Sequence, residues 1–300
     1  MKPTTYGSLW MLAAGVFFAC MGALVKIGAQ KFTSAELVFY RSLFGLLAIL
    51  LLSLAGRKRL ATRHWKPHLS RSLFGFAALV LFFYAIGKLP LATAVTLNYT
   101  SPLFLAALSL IYLRGEARPA LLLAIVIGFG GVALLLQPSF SGDDWLAALL
   151  GLASGLLAGV AYLQVTQLGR MGEPEWRTVF YFTLVCTIGS GLWMLIHQFH
   201  ALTLPDLLLL LAIGACATLA QLAMTRAYRK GDPLVAGSLA YSTVVLASLL
   251  GILLWGETLS LASWLGVALI TGSGVISVRS QPLPRGDAGD FDKTIQAPTL

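Results

Sequence analysis

Thr96-Leu97-Asn98-Tyr99-Thr100-Ser101-Pro102 places six polar or helix-disturbing residues inside an apolar run that extends from about 91 to 114. At a rise of about 1.5 Å per residue, a helix of that length crosses a bilayer core. Pro102 stands near its middle, where it has no N–H to donate and crowds the carbonyl four residues earlier, that of Asn98. The helix is expected to bend there. In hydrocarbon a freed carbonyl must meet protein or water, so the stretch points to a packed interior or a water-filled cavity. It is the first pointer to a binding site.

Runs of comparable length recur at about 7–28, 34–55, 70–88, 91–114, 119–137, 144–168, 175–198, 206–228, 234–256 and 259–279. Short connections carry Pro90, Pro119, Pro174, Pro205 and Pro233 as punctuation. The pattern predicts an all-α polytopic membrane protein of ten transmembrane helices, with no room for a soluble domain. Composition agrees: 58% hydrophobic and 11% charged residues lie far from the usual soluble balance of roughly 25% charged. The first run is too long for the apolar part of a signal peptide and reads as a span. The last residues, 280–300, are too polar to pack and are expected to form a flexible cytoplasmic tail.

A net charge of +9 could suggest nucleic acid, but its distribution follows membrane topology. With the N-terminus inside, seventeen of the twenty-one Lys and Arg fall on the inner side, among them a cluster from Arg57 to Arg71. Lys26, Lys31 and Lys88 fall outside, and Arg41 lies within the second helix. The positive-inside rule therefore puts both termini in the cytoplasm, and no nucleic-acid partner is expected.

The two halves of the chain resemble each other. Tyr99-Thr100-Ser101 aligns with Tyr241-Ser242-Thr243, Gly115-Glu116 with Gly256-Glu257, Gly131-Val132 with Gly274-Val275, and Pro90 with Pro233. Residues 1–137 and 144–279 thus read as two five-helix repeats. An odd number of helices per repeat makes equivalent helices cross in opposite directions, and such inverted repeats place substrate near the midplane between the halves. On this geometry Tyr84, Asn98 and Tyr99 belong to the outer part of a central cavity, and Tyr162, Gln164, Gln221 and Tyr241 to its inner part. Ser242 follows Tyr241 in the repeated element, and Pro102 is the candidate hinge.

Each of these residues also has a plainer role. A tyrosine can anchor at the interface, and Asn98 or Gln221 can bond between helices. Lys26 and Arg226 are expected to snorkel to opposite surfaces. Arg41 is expected to pair with Glu36 or contact neighbouring carbonyls, with a substrate carboxylate as the less favoured partner. Gly151, Gly155 and Gly159 make a nearly flat stripe suited to close helix packing. The Gly-Glu pairs read as structural corners, with glycine at the helix C-terminus and the acid at the next N-terminus.

Catalytic readings fare poorly. No GxxxxGK[ST] loop is present, and His64, His68, His197 and His200 lack the acid and third ligand of a zinc site. Cys20, Cys186 and Cys216 lie in apolar runs without ligand spacing. No catalytic residue, metal or cofactor is expected.

With its ten spans, five-plus-five repeat, proline-bent fourth helix and paired Gly-Glu corners, the chain resembles the drug/metabolite transporter superfamily. Within it, the chain is similar to EamA-type carriers and in particular to the YddG-type aromatic amino-acid exporters. The resemblance covers 7–279. It implies a bacterial inner-membrane secondary transporter that exports amino acids and related small metabolites by alternating access, through a cavity formed by helices 1, 3, 4, 6, 8 and 9. Its partners would be the small-molecule substrate and the bilayer, with a monomer sufficient. A passive channel is one alternative. A nucleotide-sugar-type carrier is another, disfavoured by too few cations in the spans. The ninth helix carries Val244 and Val245 where many relatives have a proline, so the two halves are expected to bend unequally.

Overall fold

A computed structural model describes residues 3–57, 59–101, 103–104, 119–135, 143–197, 199–231, 236 and 239–280. Ten helices are described: α1 (Pro3–Gly28), α2 (Ser34–Ala55), α3 (Trp65–Lys88), α4 (Leu91–Asn98), α5 (Pro119–Leu135), α6 (Asp143–Arg170), α7 (Glu175–Met194), α8 (Leu204–Lys230), α9 (Ser242–Trp255) and α10 (Leu261–Ser280). Among the described residues there is no β-strand. Among the described residues, five helices are long and apolar enough to cross a membrane: α1, α2, α3, α6 and α8. The outward surface of the bundle carries Leu51 and Leu54 of α2, Leu123 and Val126 of α5, Leu253 of α9 and Leu261 of α10, all well exposed. Side chains of this size would be costly in water and are at home against acyl chains. The chain is a multi-pass membrane protein.

Local signals set the helix ends. Thr33 accepts from the Glu36 N–H at 3.3 Å while Glu36 accepts from the Thr33 N–H at 2.9 Å, which satisfies two of the first-turn donors of α2. Thr203 and Asp206 form the same box at α8, with Pro205 in its first turn. At the end of α9, Gly256 takes the left-handed conformation at φ 59°, the corner expected from the sequence.

The principal packed pairs are α1–α8, α3–α6, α2–α7, α5–α10, α1–α9, α4–α6, α2–α8, α3–α7 and α4–α9. Exchanging each helix of the first five with the one five later leaves this set of pairs unchanged.

Two sequence expectations are corrected here. The third helix begins at Trp65 rather than near 70, so Arg71, counted with the basic cluster at the helix end, lies more than a turn inside α3 and is buried. The fourth helix stops at Asn98, followed by a turn at Tyr99 and Thr100 before helical residues resume at Ser101. The interruption therefore precedes Pro102, which lies outside the described residues, as do Gly115-Glu116 and the tail from 281.

Candidate substrate cavity

The break in α4 is held open by its neighbour. A Cβ at Gly155 would sit 2.5 Å from Thr100 Oγ1, 2.7 Å from the Leu97 carbonyl oxygen and 3.0 Å from that of Asn98. The small-residue stripe of α6 thus lets its backbone approach the carbonyls that the broken helix exposes. Asn98 Nδ2 donates to Ser154 Oγ on the same helix at 2.9 Å. A reciprocal contact exists at the start of α9, where a Cβ at Gly15 of α1 would lie 2.8 Å from Ser242 Oγ and 3.1 Å from Thr243 Oγ1. There a turn at Tyr241 interrupts the helical run although no proline is present. The missing proline therefore does not leave the ninth segment continuous.

The two interruptions meet. Tyr99 Oη donates to Thr243 Oγ1 at 2.9 Å, and the Tyr99 and Tyr241 rings are 6.3 Å apart between centroids. Beside them lies a cavity of about 60 Å³. Its wall includes Asn98 and Tyr99 of the α4 segment, Tyr162 of α6, Gln221 of α8 and Thr243 of α9, with Phe18 and Met21 of α1 and Phe82 of α3. All six helices implied by the resemblance contribute. So do α2 and α7, through Arg41 and Phe182.

Of the eight residues expected to bind substrate, Asn98, Tyr99, Tyr162 and Gln221 line the cavity. The other four lie elsewhere. Tyr84 packs at the edge of the core. Gln164 donates to Ser70 Oγ at 2.7 Å, joining α6 to α3. Tyr241 is buried behind Tyr99, and Ser242 faces Gly15.

Sequence reasoning leaves both arginines out of the site: Arg71 counts with the basic cluster, and a substrate carboxylate is only the less favoured partner of Arg41. Arg41 is 1% exposed and Arg71 2%, and both line the cavity. Phe182 is close to both, its ring centroid 3.9 Å from Arg71 Cζ and 5.5 Å from Arg41 Cζ. Arg71 Nη2 donates to Gln221 Oε1 at 3.3 Å, while Nε and Nη1 of both arginines have no hydrogen-bond partner. Glu36, the expected partner of Arg41, instead binds His200, accepting from its backbone N–H at 2.7 Å with Nδ1 at 2.8 Å. One signal in the sequence was available: each arginine is followed four residues later by a glycine, Gly45 and Gly75. At Gly75 an added Cβ would meet Arg71 Nη1 at 2.9 Å and Phe182 at 3.0 Å, so the glycine makes room for the guanidinium.

Polar clusters close the bundle at both ends. At the end where α1 finishes, Glu257 accepts the Leu91 N–H at 3.0 Å and pairs with Lys26, which also donates to the Leu89 carbonyl at 2.9 Å. Glu257 therefore caps α4 rather than the helix that follows it, and Lys26 is tethered instead of snorkelling freely. At the other end, Glu173 of the α6–α7 connection accepts from Thr62 and from Arg177 at 2.9 Å, with His64 Nδ1 at 3.0 Å and His68 Nε2 at 3.3 Å. Burial works against ionisation of Glu173, but these donors outweigh it and hold the carboxyl down at about 2.

A helical membrane bundle around a small, largely apolar cavity that holds a few polar and cationic groups, with broken helices meeting beside it, defines a membrane transporter in class. The chain belongs to the EamA-like transporter family, whose model matches residues 5–137 and 145–279. It is 34% identical to the pseudopaline exporter of Pseudomonas aeruginosa strain UCBPP-PA14, across 84% of this chain and 88% of that protein. It is 30% identical to a riboflavin transporter of Rhizobium johnstonii across 92% and 91%, and 30% identical to an uncharacterised transporter of Helicobacter pylori strain J99 across 90% and 94%. A crystal structure with 22% identity superimposes with a TM-score of 0.68, covering 91% of this chain and 98% of that one; at that identity the match speaks to the fold. These relatives are transporters rather than enzymes, with differing substrates. The similarity supports the EamA-type assignment without singling out aromatic amino-acid exporters.

Proposed function

We propose that the chain is a secondary transporter that exports amino acids and related small metabolites across a bacterial inner membrane by alternating access, with both termini in the cytoplasm. Residues 1–137 and 144–279 act as inverted repeats. The observation that carries this reading is the meeting of the two interrupted segments at Tyr99 and Thr243 beside a cavity walled by eight helices. The exchangeable packing pairs and the reciprocal Gly155 and Gly15 contacts support the repeat. Interrupted helices at the interface of repeats are where such carriers bind their cargo. Asn98, Tyr99, Tyr162 and Gln221 contact substrate, Tyr84, Gln164, Tyr241 and Ser242 shape the surrounding walls, and Pro102 sets the bend of the fourth segment.

A cavity of about 60 Å³ is small beside the roughly 300–1,000 Å³ of ligand clefts, so the helices separate to admit cargo. That favours a carrier over a continuously open channel. Counterflow in proteoliposomes tests the reading: unlabelled amino acid on one side should accelerate exchange of labelled amino acid from the other. Conductive, non-saturable flux without counterflow would support a channel instead.

A further inference from the structure

Two buried cations of like sign share one cavity, and nothing described balances them. Neither Arg41 nor Arg71 has a carboxylate within ion-pair distance among the described residues, where the ion pairs of Glu36, Glu173, Glu175, Asp206 and Glu257 all involve other cations. Tyr162, which lines the same cavity, is a phenol and neutral in its ordinary range. Phe182 and Gln221 offer a ring face and an amide oxygen, which compensate a buried guanidinium only in part. Four N–H-bearing nitrogens, Nε and Nη1 on each arginine, are left without acceptors. A buried guanidinium presents a planar fork whose natural complement is a bidentate oxyanion.

We infer that the cargo is an organic dianion carrying two carboxylates, docked between Arg41 and Arg71 with its apolar part against Phe18, Phe82 and Tyr99. The inference rests on the carrier reading and narrows its substrate. Among amino-acid-like metabolites it selects those with net negative charge, because a zwitterion brings an ammonium beside two guanidiniums, where the lining offers neutral oxygens such as those of Asn98 and Tyr162 but no carboxylate among the described residues. It also removes the objection that the spans hold too few cations for an anionic cargo, since Arg71 lines the cavity rather than standing with the basic cluster at the surface.

The test uses the full-length protein, purified in a neutral detergent and reconstituted in phosphatidylcholine vesicles, so that no anionic lipid competes. The probes are succinate, phenylsuccinate, citrate, the matched amides of each, phenylalanine and inorganic phosphate. Binding is read by calorimetry and by the shift in unfolding temperature, and transport by counterflow. At least one di- or tricarboxylate should bind at least about tenfold more tightly than its amide. Arg41→Gln and Arg71→Gln should each erase that preference, and Arg71→Lys should restore part of it. Without ligand, the double Gln variant should unfold at or above the wild-type temperature, because it removes two uncompensated buried charges.

Amides binding as tightly as acids, or phosphate alone binding, would overturn the dicarboxylate assignment. So would a double variant that unfolds well below wild type, which would mean that the arginines are structural. Counterflow of phenylalanine unaffected by either substitution would leave the carrier standing and remove the anion site. Arginine-dependent binding of a carboxylate without any counterflow would retain the site and sink the carrier.

Discussion

The phenol of Tyr99 donates to the hydroxyl of Thr243 at 2.9 Å, joining residues 144 positions apart at the two places where helical runs are interrupted. Through this contact the α4 segment and α9 meet beside the cavity, so a movement of either helix is felt by the other. Removing the hydroxyl in Tyr99→Phe should cost about 1 kcal/mol of stability and keep the aromatic wall. Tyr99→Ala removes the wall as well, and Asn98→Ala removes the bond to Ser154. Both should impair transport while membrane insertion stays normal. Initial rates in proteoliposomes at matched protein content check this, and wild-type rate and affinity in both alanine variants would reject the site.

Close approach between α6 and the broken α4 depends on a hydrogen at Gly155. Gly155→Ala should destabilise by about 1–3 kcal/mol, because the new methyl meets backbone carbonyls that cannot swing aside. Gly15→Ala should cost less, since its nearest atom is the rotatable Ser242 hydroxyl. Gly130→Ala serves as the control, with nothing within 4 Å of the added carbon. Thermal unfolding in detergent should rank the three in that order.

Glu257 satisfies the first N–H of α4 and the ammonium of Lys26 together. Glu257→Ala should cost about 1–2 kcal/mol, the scale of a lost helix cap. Lys26→Met in the same background should add little, because the lysine has already lost its partner. A double-mutant cycle on unfolding temperature decides: additive losses would mean that the two side chains act separately.

Acid should loosen the opposite end of the bundle. The Glu173 carboxyl is held at about 2 when folded, below the ordinary range near 4.3 in an unfolded chain. Its contribution is therefore fully present above the unfolded value and is lost as pH falls through that window toward 2. Glu173→Gln should reduce stability at neutral pH by about 1–3 kcal/mol and flatten the pH dependence between about 4.5 and 2. Unfolding temperatures measured from pH 7 downward check both, and identical slopes in the two proteins would show that another group governs the acid limb.

The described helices lie on the apolar runs read from the sequence, and the corner at Gly256 and the tight face of α6 were equally legible. These are local properties. In hydrocarbon each segment must satisfy its own backbone, so length, hydropathy and end signals are written within the segment itself. The place of the fourth-helix interruption was less legible, because Pro102 drew attention to itself while the turn falls at Tyr99 and Thr100. The same turn occurs at Tyr241 with no proline to announce it.

The sequence by itself determined a multi-pass helical bundle, the internal likeness of its halves and four of the cavity residues. Only the tertiary structure decided that Arg41 and Arg71 share one cavity beside Phe182, that Glu36 belongs to His200, and that Tyr99 reaches Thr243. The physical reason is the solvent. A helix in water advertises its buried face by the contrast between apolar and polar stripes, whereas a helix in lipid is apolar on both faces, and the side that turns inward is fixed by which neighbour it packs against.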